Sequence, residues 1–279
     1  MKQIITVAAL GLIAGCATTG PEHLAQPLVN VSSEDGTGSE KTLQSGDFLL
    51  TMTVAPTSIV RIHKDAKLVT ASADTFLLDE GEAFFATDTN RFGIVYCSFR
   101  NNHRSGVNGA LGKLCLADAD FDQRFDIVLE HKGSYPQDVD LFPYHETAIV
   151  EHLVKNPMDI PYSYVDVDPE YAFDMGLRLR EVSGRANRKV ASFSVMAKAV
   201  DDDQWRRIAR DIRVDVTGEE EDLLPMVTAS LDYSRETGLV AQVTEVAEVA
   251  TTGIFRDPIT TRIDFFVVPP NPVAPPAPR

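Results

Sequence analysis

Apolar and polar residues alternate along most of the chain, which is typical of strands with one buried face. The pattern holds in GDFLLTMTV (residues 46–54), LRLREV (177–182) and ARDIRVDV (209–216). Further segments of similar character are TSIVRIH, FGIVYCSF, GKLCLA, FDIVLEH, YSYVDV, KVASFSVMAKAV, PMVTASLDYS, GLVAQVTEV and RIDFFVV. Turn-forming residues separate many of these segments. The pattern predicts an all-β protein built of antiparallel sheets, in the form of one or more β-sandwiches.

Two prolines in VKNPMDIPYSY (residues 154–164) mark a possible domain boundary. The boundary would divide the body into one module over residues 47–155 and a second over 156–268, each of the size of a β-sandwich. A single large sandwich fits the same strand spacing almost equally well. Both arrangements therefore stay open at this point.

One segment, HETAIVEHLVKN (residues 145–156), has helical rather than strand character. Ala148, Ile149, Leu153 and Val154 would share one face of a helix, and Pro157 would end it. The sequence therefore predicts one short helix in the middle of the body.

The two ends of the chain differ from the body in composition. Residues 1–15 contain Lys2, an apolar run over residues 4–13 and then two small residues, the three parts of an export signal. Residues 16–46 are rich in Gly, Ser, Thr, Pro and acids, which predicts a flexible tether. Residues 269–279 contain six prolines and predict a spacer-like tail, with a ligand for a partner domain as the alternative.

The segment Leu12-Ile13-Ala14-Gly15-Cys16 resembles the lipobox of bacterial lipoproteins. The resemblance implies that the Cys16 sulfur receives a diacylglyceryl group and that cleavage makes Cys16 the first residue of the mature protein. It also implies a cell-envelope location with the membrane as a partner through the lipid. Because Ala17 rather than an aspartate follows the cysteine, the family's sorting rule favours the outer membrane. An ordinary secretory signal and a buried first helix are the alternatives.

The charge of the chain limits its partners. The 279 residues carry 26 basic and 41 acidic side chains, a net charge of −15, and removal of residues 1–15 changes it to −16. Nucleic acid is disfavoured as a partner because its binding depends on clustered Lys and Arg. Electrostatic adhesion to anionic lipid is disfavoured for the same reason, which leaves the covalent lipid as the expected membrane contact.

Two cysteines remain in the body, Cys97 and Cys115, on either side of a polar, glycine-rich connection. In an exported protein such a pair predicts a disulfide, which stabilises by ~3 kcal/mol for a loop of this length. Two reduced thiols in the core are the alternative. A zinc site fits less well because neither cysteine has a second ligand at short spacing and His103 is isolated in the connection.

The segment CLADADFDQRFD, directly after the second cysteine, resembles the DxDxDGxxD calcium loops of EF-hand-like and thrombospondin-repeat-like proteins. The resemblance assigns positions 1, 3, 5 and 9 and a backbone carbonyl at position 7 to Ca²⁺. These ligands would be Asp118, Asp120, Asp122, the carbonyl of Arg124, and Asp126. Gln123 replaces the turn glycine, and Leu129 rather than a glutamate stands at position 12, with Glu130 next to it. An acidic turn with solvated carboxylates is the alternative.

The sequence contains no catalytic motif such as GxSxG or HExxH. Acids at alternate positions, Asp138 with Asp140 and Asp166 with Asp168, resemble a glycosidase pair but are also what the wet face of a sheet contains. We therefore expect a non-enzymatic envelope lipoprotein that needs no cofactor beyond a possible Ca²⁺ and serves structure or binding, with an envelope protein or glycan as partner. The alternative is a periplasmic hydrolase that uses paired carboxylates.

Overall fold

A computed structural model of the chain describes residues 19–33, 37–70, 75–99, 104–105, 114–131, 147–155, 158–185, 188–209, 211–224, 227–246, 252–256 and 263–267. Within these ranges the chain is almost entirely β-structure and contains no α-helix, which confirms the predicted fold class. A 3-10 helix at Pro169–Tyr171 is capped by Asp168, whose carboxylate accepts a hydrogen bond from the Glu170 N–H.

The first fourteen strands are β1 Thr19–Ser32, β2 Glu40–Leu43, β3 Phe48–Pro56, β4 Ile59–Ile62, β5 Ala66–Val69, β6 Thr75–Leu78, β7 Ala83–Thr89, β8 Gly93–Ser98, β9 Arg104–Ser105, β10 Leu114–Ala117, β11 Arg124–Phe125, β12 Ile127–His131, β13 Thr147–His152 and β14 Ile160–Val165. The remaining strands are β15 Phe173–Arg185, β16 Arg188–Ala199, β17 Arg206–Arg207, β18 Ile212–Val216, β19 Glu220–Leu224, β20 Val227–Ser234, β21 Gly238–Val246, β22 Thr252–Arg256 and β23 Ile263–Val267.

These strands form one large antiparallel sheet and two small ones. The main path of the large sheet is β11-β14-β4-β7-β8-β10-β12-β13-β1-β3-β15-β16-β17, with β18 on β16 and the β22–β23 pair on β1. Because β1 also pairs with β7, the pairing of β7, β8, β10, β12, β13 and β1 returns to its start. The small sheets are β19-β20-β21-β2 and β5-β6-β9.

The strands of this circular pairing are buried on both faces, so the molecule has two hydrophobic cores. Along β7, Phe85 lies in the large core, whereas Phe84 and Ala86 lie in the small core. The large core continues into β3, β15, β16 and the sheet containing β20 and β21. The small core lies between the strands of the circular pairing on one side and β4, β5, β6 and β14 on the other. A strand that is buried on both faces has a continuous run of apolar residues. This explains the sequences AFFA in β7 and GIVYCS in β8.

The predicted disulfide is present and joins neighbouring strands. Cys97 on β8 and Cys115 on β10 are directly opposite each other, with their Cα atoms 4.0 Å apart. Both side chains lie in the large core. The disulfide thus fixes β10, the strand that leads into the predicted calcium loop.

The structure differs from the predicted tether over residues 16–46. Residues 19–32 form β1, and Leu28, Val29 and Val31 are buried in it. The partners of β1 include residues 53–56 of β3 and 87–89 of β7, far away in sequence. A short apolar stretch that depends on distant partners gives little local signal, and the surrounding Pro, Ser and acids dominated the composition.

The predicted helix over residues 145–156 is wrong, because residues 147–152 form β13. This strand pairs on one edge with β1 and on the other with β12, so its backbone hydrogen bonds are made within the sheet. Leu153, which we placed on the buried face of a helix, is 65% exposed. Tertiary pairing outweighs the helical spacing here.

Strand pairing does not separate at residue 155. β14 pairs with β4 and β15 pairs with β3, so strands of the two predicted modules lie side by side in one sheet. The division into modules 47–155 and 156–268 therefore does not follow the sheet topology. The predicted signal peptide, Cys16 and the tail over residues 269–279 lie outside the described residues.

Candidate metal site in the Asp loop

The Asp loop, residues 118–126, connects β10 to β12 and contains the short strand β11. Its two ends are held together by the Asp126 N–H, which donates to the Ala117 carbonyl at 3.0 Å. Ala119 N–H also donates to Asp126 Oδ1 at 3.1 Å. β11 pairs with β14, so the C-terminal part of the loop is also held by a strand that is distant in sequence.

Asp118 is buried at the centre of this loop and accepts three hydrogen bonds. Its Oδ1 accepts from the Asp122 N–H at 3.2 Å, and its Oδ2 accepts from the Gln123 N–H at 2.8 Å. The Tyr162 hydroxyl on β14 donates to the same Oδ2 at 2.9 Å. Only 7% of Asp118 is exposed. A buried carboxylate with these donors organises the backbone of the loop around itself.

The tyrosine that contacts Asp118 belongs to an aromatic cluster of the small core. The Tyr162 ring stacks on Phe125 with centroids 4.3 Å apart, and Tyr96 lies 5.7 Å from Tyr162. Burial, followed by the hydrogen bond to Asp118, raises the pKa of the Tyr162 hydroxyl above its ordinary value. Tyr162 therefore stays a proton donor to Asp118 throughout the physiological pH range.

Two residues of the loop have a left-handed backbone, Phe121 with φ 61° and Gln123 with φ 66°. Gln123 occupies the position that is glycine in the calcium loops this segment resembles, so the replacement keeps the backbone conformation that the turn requires. A left-handed residue other than glycine costs about 1–2 kcal/mol. The hydrogen bonds to Asp118 help to offset that cost.

Three carboxylates of the loop converge. One oxygen each from Asp118, Asp120 and Asp122 lies within 4.8 Å of the others, and Asp120 and Asp122 are exposed. Local desolvation and then the negative charge of Asp122 raise the pKa of the Asp120 carboxyl above its usual value. Mutual repulsion of this kind is relieved by a bound cation.

The basic residues next to the loop do not neutralise it. The Lys64 ammonium and the Arg124 guanidinium both bind Asp159, and these contacts lower the pKa of Asp159. The Arg124 side chain therefore binds Asp159, the residue directly before β14, rather than the three converging carboxylates of the loop. The Asp126 carboxylate does not belong to the group of converging carboxylates, and the carbonyl of Arg124 stays a predicted ligand.

The donor set fits Ca²⁺ only in part. The converging carboxylates offer hard oxygens, but Asp118 Oδ2 already accepts two hydrogen bonds, and the Gln123 carbonyl accepts from Tyr162 N–H at 3.1 Å. Glu130, the residue nearest to position 12, lies in β12 with its Oε2 2.9 Å from His152 Nε2. Since Ca²⁺ takes six to eight oxygens, water would have to complete the shell.

Of the two acid pairs considered for a hydrolase, the structure describes only Asp166 and Asp168. Asp166 and Asp168 are exposed, and Asp168 caps the 3-10 helix. Asp138 and Asp140 lie outside the described residues. In the described part of the chain, Asp168 therefore has a structural role at the 3-10 helix.

The buried contact between Glu130 and His152 was missed from the sequence. Both side chains are nearly inaccessible, and the His152 ring also contacts Phe76 edge-on at 6.3 Å between centroids. The charged residues in FDIVLEH and IVEHLV follow apolar runs, which was the one available signal. The contact between Glu130 and His152 depends on strand register, because β12 and β13 become neighbours only in the folded sheet.

Comparison with protein-family models, with curated proteins and with solved structures finds no match for this chain. Among the described residues, no helix combines the length and the apolar character that crossing a membrane requires.

Proposed function

We propose that this protein is a non-enzymatic lipoprotein of the bacterial cell envelope, a β-rich binding or structural module whose Asp loop takes up Ca²⁺. The observation that carries the calcium part is the convergence of Asp118, Asp120 and Asp122 within 4.8 Å. The lipobox-like residues 12–16 support the envelope part, and a disulfide between Cys97 and Cys115 is in keeping with an oxidising compartment.

The calcium ion would have a structural role. Asp118 already joins the loop to β14 through Tyr162, and β11 pairs with the same strand. A cation on the open side of Asp118 would add Asp120 and Asp122 to this junction. Because few protein oxygens are available, we expect a dissociation constant of about 10⁻⁴–10⁻³ M, as in extracellular calcium modules.

Calorimetric titration of CaCl₂ into a soluble form starting at residue 17 tests the calcium part. We expect saturable binding that disappears in Asp120→Asn and Asp122→Asn, whereas Asp203→Asn, an exposed acid outside the loop, behaves as the wild type. Asp120 and Asp122 are suited to this test because they are exposed and their replacement leaves Asp118 in place. Absence of both heat and a calcium-dependent thermal shift would overturn the calcium assignment.

Lipid attachment would bring the body close to the membrane. Only Ala17 and Thr18 separate Cys16 from the first residue of β1. A lipid on Cys16 would therefore hold the N-terminal end of β1 at the headgroups.

Incorporation of radiolabelled palmitate in a bacterial host tests the anchor. The wild-type chain should be labelled and Cys16→Ala should not, while Ala17→Asp should keep its label but move from the outer-membrane to the inner-membrane fraction. An unlabelled wild-type protein with an uncut Met1 terminus would refute the lipoprotein proposal, whatever the result for calcium.

A further inference from the structure

The basic residues of this acidic protein are concentrated in one segment. Residues 178–213 contain ten of the 26 Lys and Arg residues of the chain but only five of its 41 acids. The segment therefore carries a charge of +5 within a chain of net charge −15. Such a separation of charge creates a local field that differs in sign from that of the whole molecule.

The strand register places most of these cations on one side of the sheet formed by β15, β16, β17 and β18. Arg178 is opposite Ser194, and Arg213 is opposite Ser192, whereas Leu177 and Val195 on the other side lie in the large core. We call the outward side the basic face. Its cations are Arg178, Arg180, Arg185, Arg188, Lys198, Arg207 and Arg213.

Acidic side chains on the same face neutralise only part of this charge. Lys198 pairs with Asp174 at 3.2 Å, Arg188 pairs with Asp215 at 3.0 Å, and Arg180 and Arg207 share Asp211. Within the described part of the chain, no acid forms an ion pair with Arg178 or Arg213. Arg178 instead donates from Nε to the Gly46 carbonyl at 2.8 Å.

Two aromatic rings lie beside these cations. Phe48 and Trp205 are in contact, with centroids 4.6 Å apart, and the Arg178 guanidinium carbon lies 5.8 Å from the centre of Phe48. Lys198 Nζ lies 5.6 Å from the Trp205 ring. Gly176 allows the close approach, because a Cβ at this position would lie 2.7 Å from a Phe48 ring carbon. The Phe48 ring is therefore packed onto the sheet backbone next to the charges, and Trp205 lies against it.

We propose that the basic face binds an anionic polysaccharide that carries carboxylates along its length. Guanidinium groups on neighbouring strands suit such a polymer because an arginine can bind a carboxylate with two parallel hydrogen bonds. The adjacent rings offer apolar surface for the sugar. The strong negative charge of the remaining surface opposes long, uniformly charged polymers such as nucleic acid, so a short segment of a glycan fits better.

This inference deepens the proposed binding role by naming a partner class, and it depends on neither the Asp loop nor the lipid. The test uses oligogalacturonate as a probe in calorimetry with the full chain in detergent and with EDTA present. Because EDTA removes calcium, failure of the calcium proposal would not affect the result. We expect binding that weakens as salt is added, while neutral dextran does not bind.

Charge-reversal variants locate the binding surface. Arg178→Glu and Arg213→Glu should each weaken binding about tenfold. Lys67→Glu, the same charge change on exposed β5, is the matched control and should bind as the wild type. Equal losses in all three variants would mean a general charge effect and would overturn the proposal, as would no binding by the wild type.

A polyglutamate peptide distinguishes a glycan from an acidic protein. Oligogalacturonate should bind more tightly than the peptide, and Trp205→Leu should weaken the glycan but not the peptide, provided that thermal unfolding shows the variant to be folded. If the peptide binds as tightly as the glycan or more tightly, the partner is an acidic protein surface and the assignment to a polysaccharide is wrong.

Discussion

Asp118 and Asp211 are two poorly exposed carboxylates that each accept several hydrogen bonds, yet their surroundings have opposite charge. Asp118 accepts from two backbone N–H groups and the Tyr162 hydroxyl, all neutral, and two further carboxylates lie beside it. Asp211 accepts from the Ser194 hydroxyl at 2.7 Å and pairs with Arg180 and Arg207.

The comparison shows that an aspartate has a different role at each of these two sites. At Asp118 neutral donors leave the negative charge uncompensated, so the Asp loop attracts cations. At Asp211 two arginines outnumber one carboxylate, so the basic face keeps a positive charge. Hydrogen-bond satisfaction thus stabilises both sites, while the balance of charge decides what each can bind.

Removal of the Asp118 carboxylate should have the largest effect on stability. Asp118→Ala leaves the Tyr162 hydroxyl and two loop N–H groups without their acceptor, which we expect to lower the free energy of unfolding by about 4 kcal/mol. Urea unfolding without calcium is the measurement, and Asp120→Ala, which removes an exposed carboxylate of the same loop, is the control with a much smaller change. Similar losses for the two variants would show that Asp118 does not organise the loop.

Removal of the disulfide should affect the Asp loop more than the basic face. The bond closes a loop with a sequence separation of 18, and its loss in Cys97→Ser/Cys115→Ser should cost ~3 kcal/mol. Because Cys115 lies three residues before Asp118, hydrogen exchange should increase in β10 and the Asp loop while β15 and β16 stay protected. Equal increases in both regions would contradict this local role.

The replacement Asp211→Asn should lower the stability of the protein moderately, and the size of this loss should depend on pH. Although partial burial acts in the opposite direction, the hydrogen bonds from Ser194 and Arg180 and the charge of Arg207 lower the pKa of Asp211. A carboxyl with a lowered folded pKa stabilises above its unfolded value of about 3.9, and this contribution is lost as pH falls through the folded pKa.

We therefore expect Asp211→Asn to be less stable than the wild type by about 1 kcal/mol at pH 7. The difference should shrink in unfolding experiments below pH of about 4. A difference that stays constant from pH 7 to pH 3 would show that the charge of Asp211 does not matter.

Asp120→Asn should have the smallest effect, and of the opposite sign. The pKa of Asp120 is raised in the folded protein, so its ionised form slightly opposes folding above the unfolded pKa. The variant should be somewhat more stable than the wild type at pH 7 without calcium, and the gain should disappear in acid, where the carboxyl is protonated in both states. A loss of stability at pH 7 would contradict the repulsion between Asp120 and its neighbours.

The sequence predicted the parts of the molecule that depend on local pattern. Alternation identified strands such as β3 and β18, cysteine spacing identified the disulfide, and aspartate spacing identified three converging carboxylates. Pairing with strands distant in sequence determined the elements that the sequence did not predict. β1 and β13 were missed because pairing on both of their edges overrides a loop-like composition in one and a helical spacing in the other.

The details of the Asp loop also depended on tertiary contacts. No spacing rule could assign Tyr162 to Asp118, because β14 approaches the loop only through its pairing with β11. The side chain of Arg124 binds Asp159 for the same reason. The basic face, in contrast, had a readable signal in the concentration of Arg and Lys over residues 178–213, and only the register that aligns them on one side was hidden.

The most direct test of the account is the titration of the Asp120 carboxyl carbon by NMR, with and without CaCl₂. Desolvation and the negative charges of Asp122 and Asp118 predict a pKa above the ordinary aspartate value in calcium-free solution, and a bound cation predicts that calcium lowers it. An ordinary pKa that calcium does not change would show that the three carboxylates neither repel one another nor share an ion.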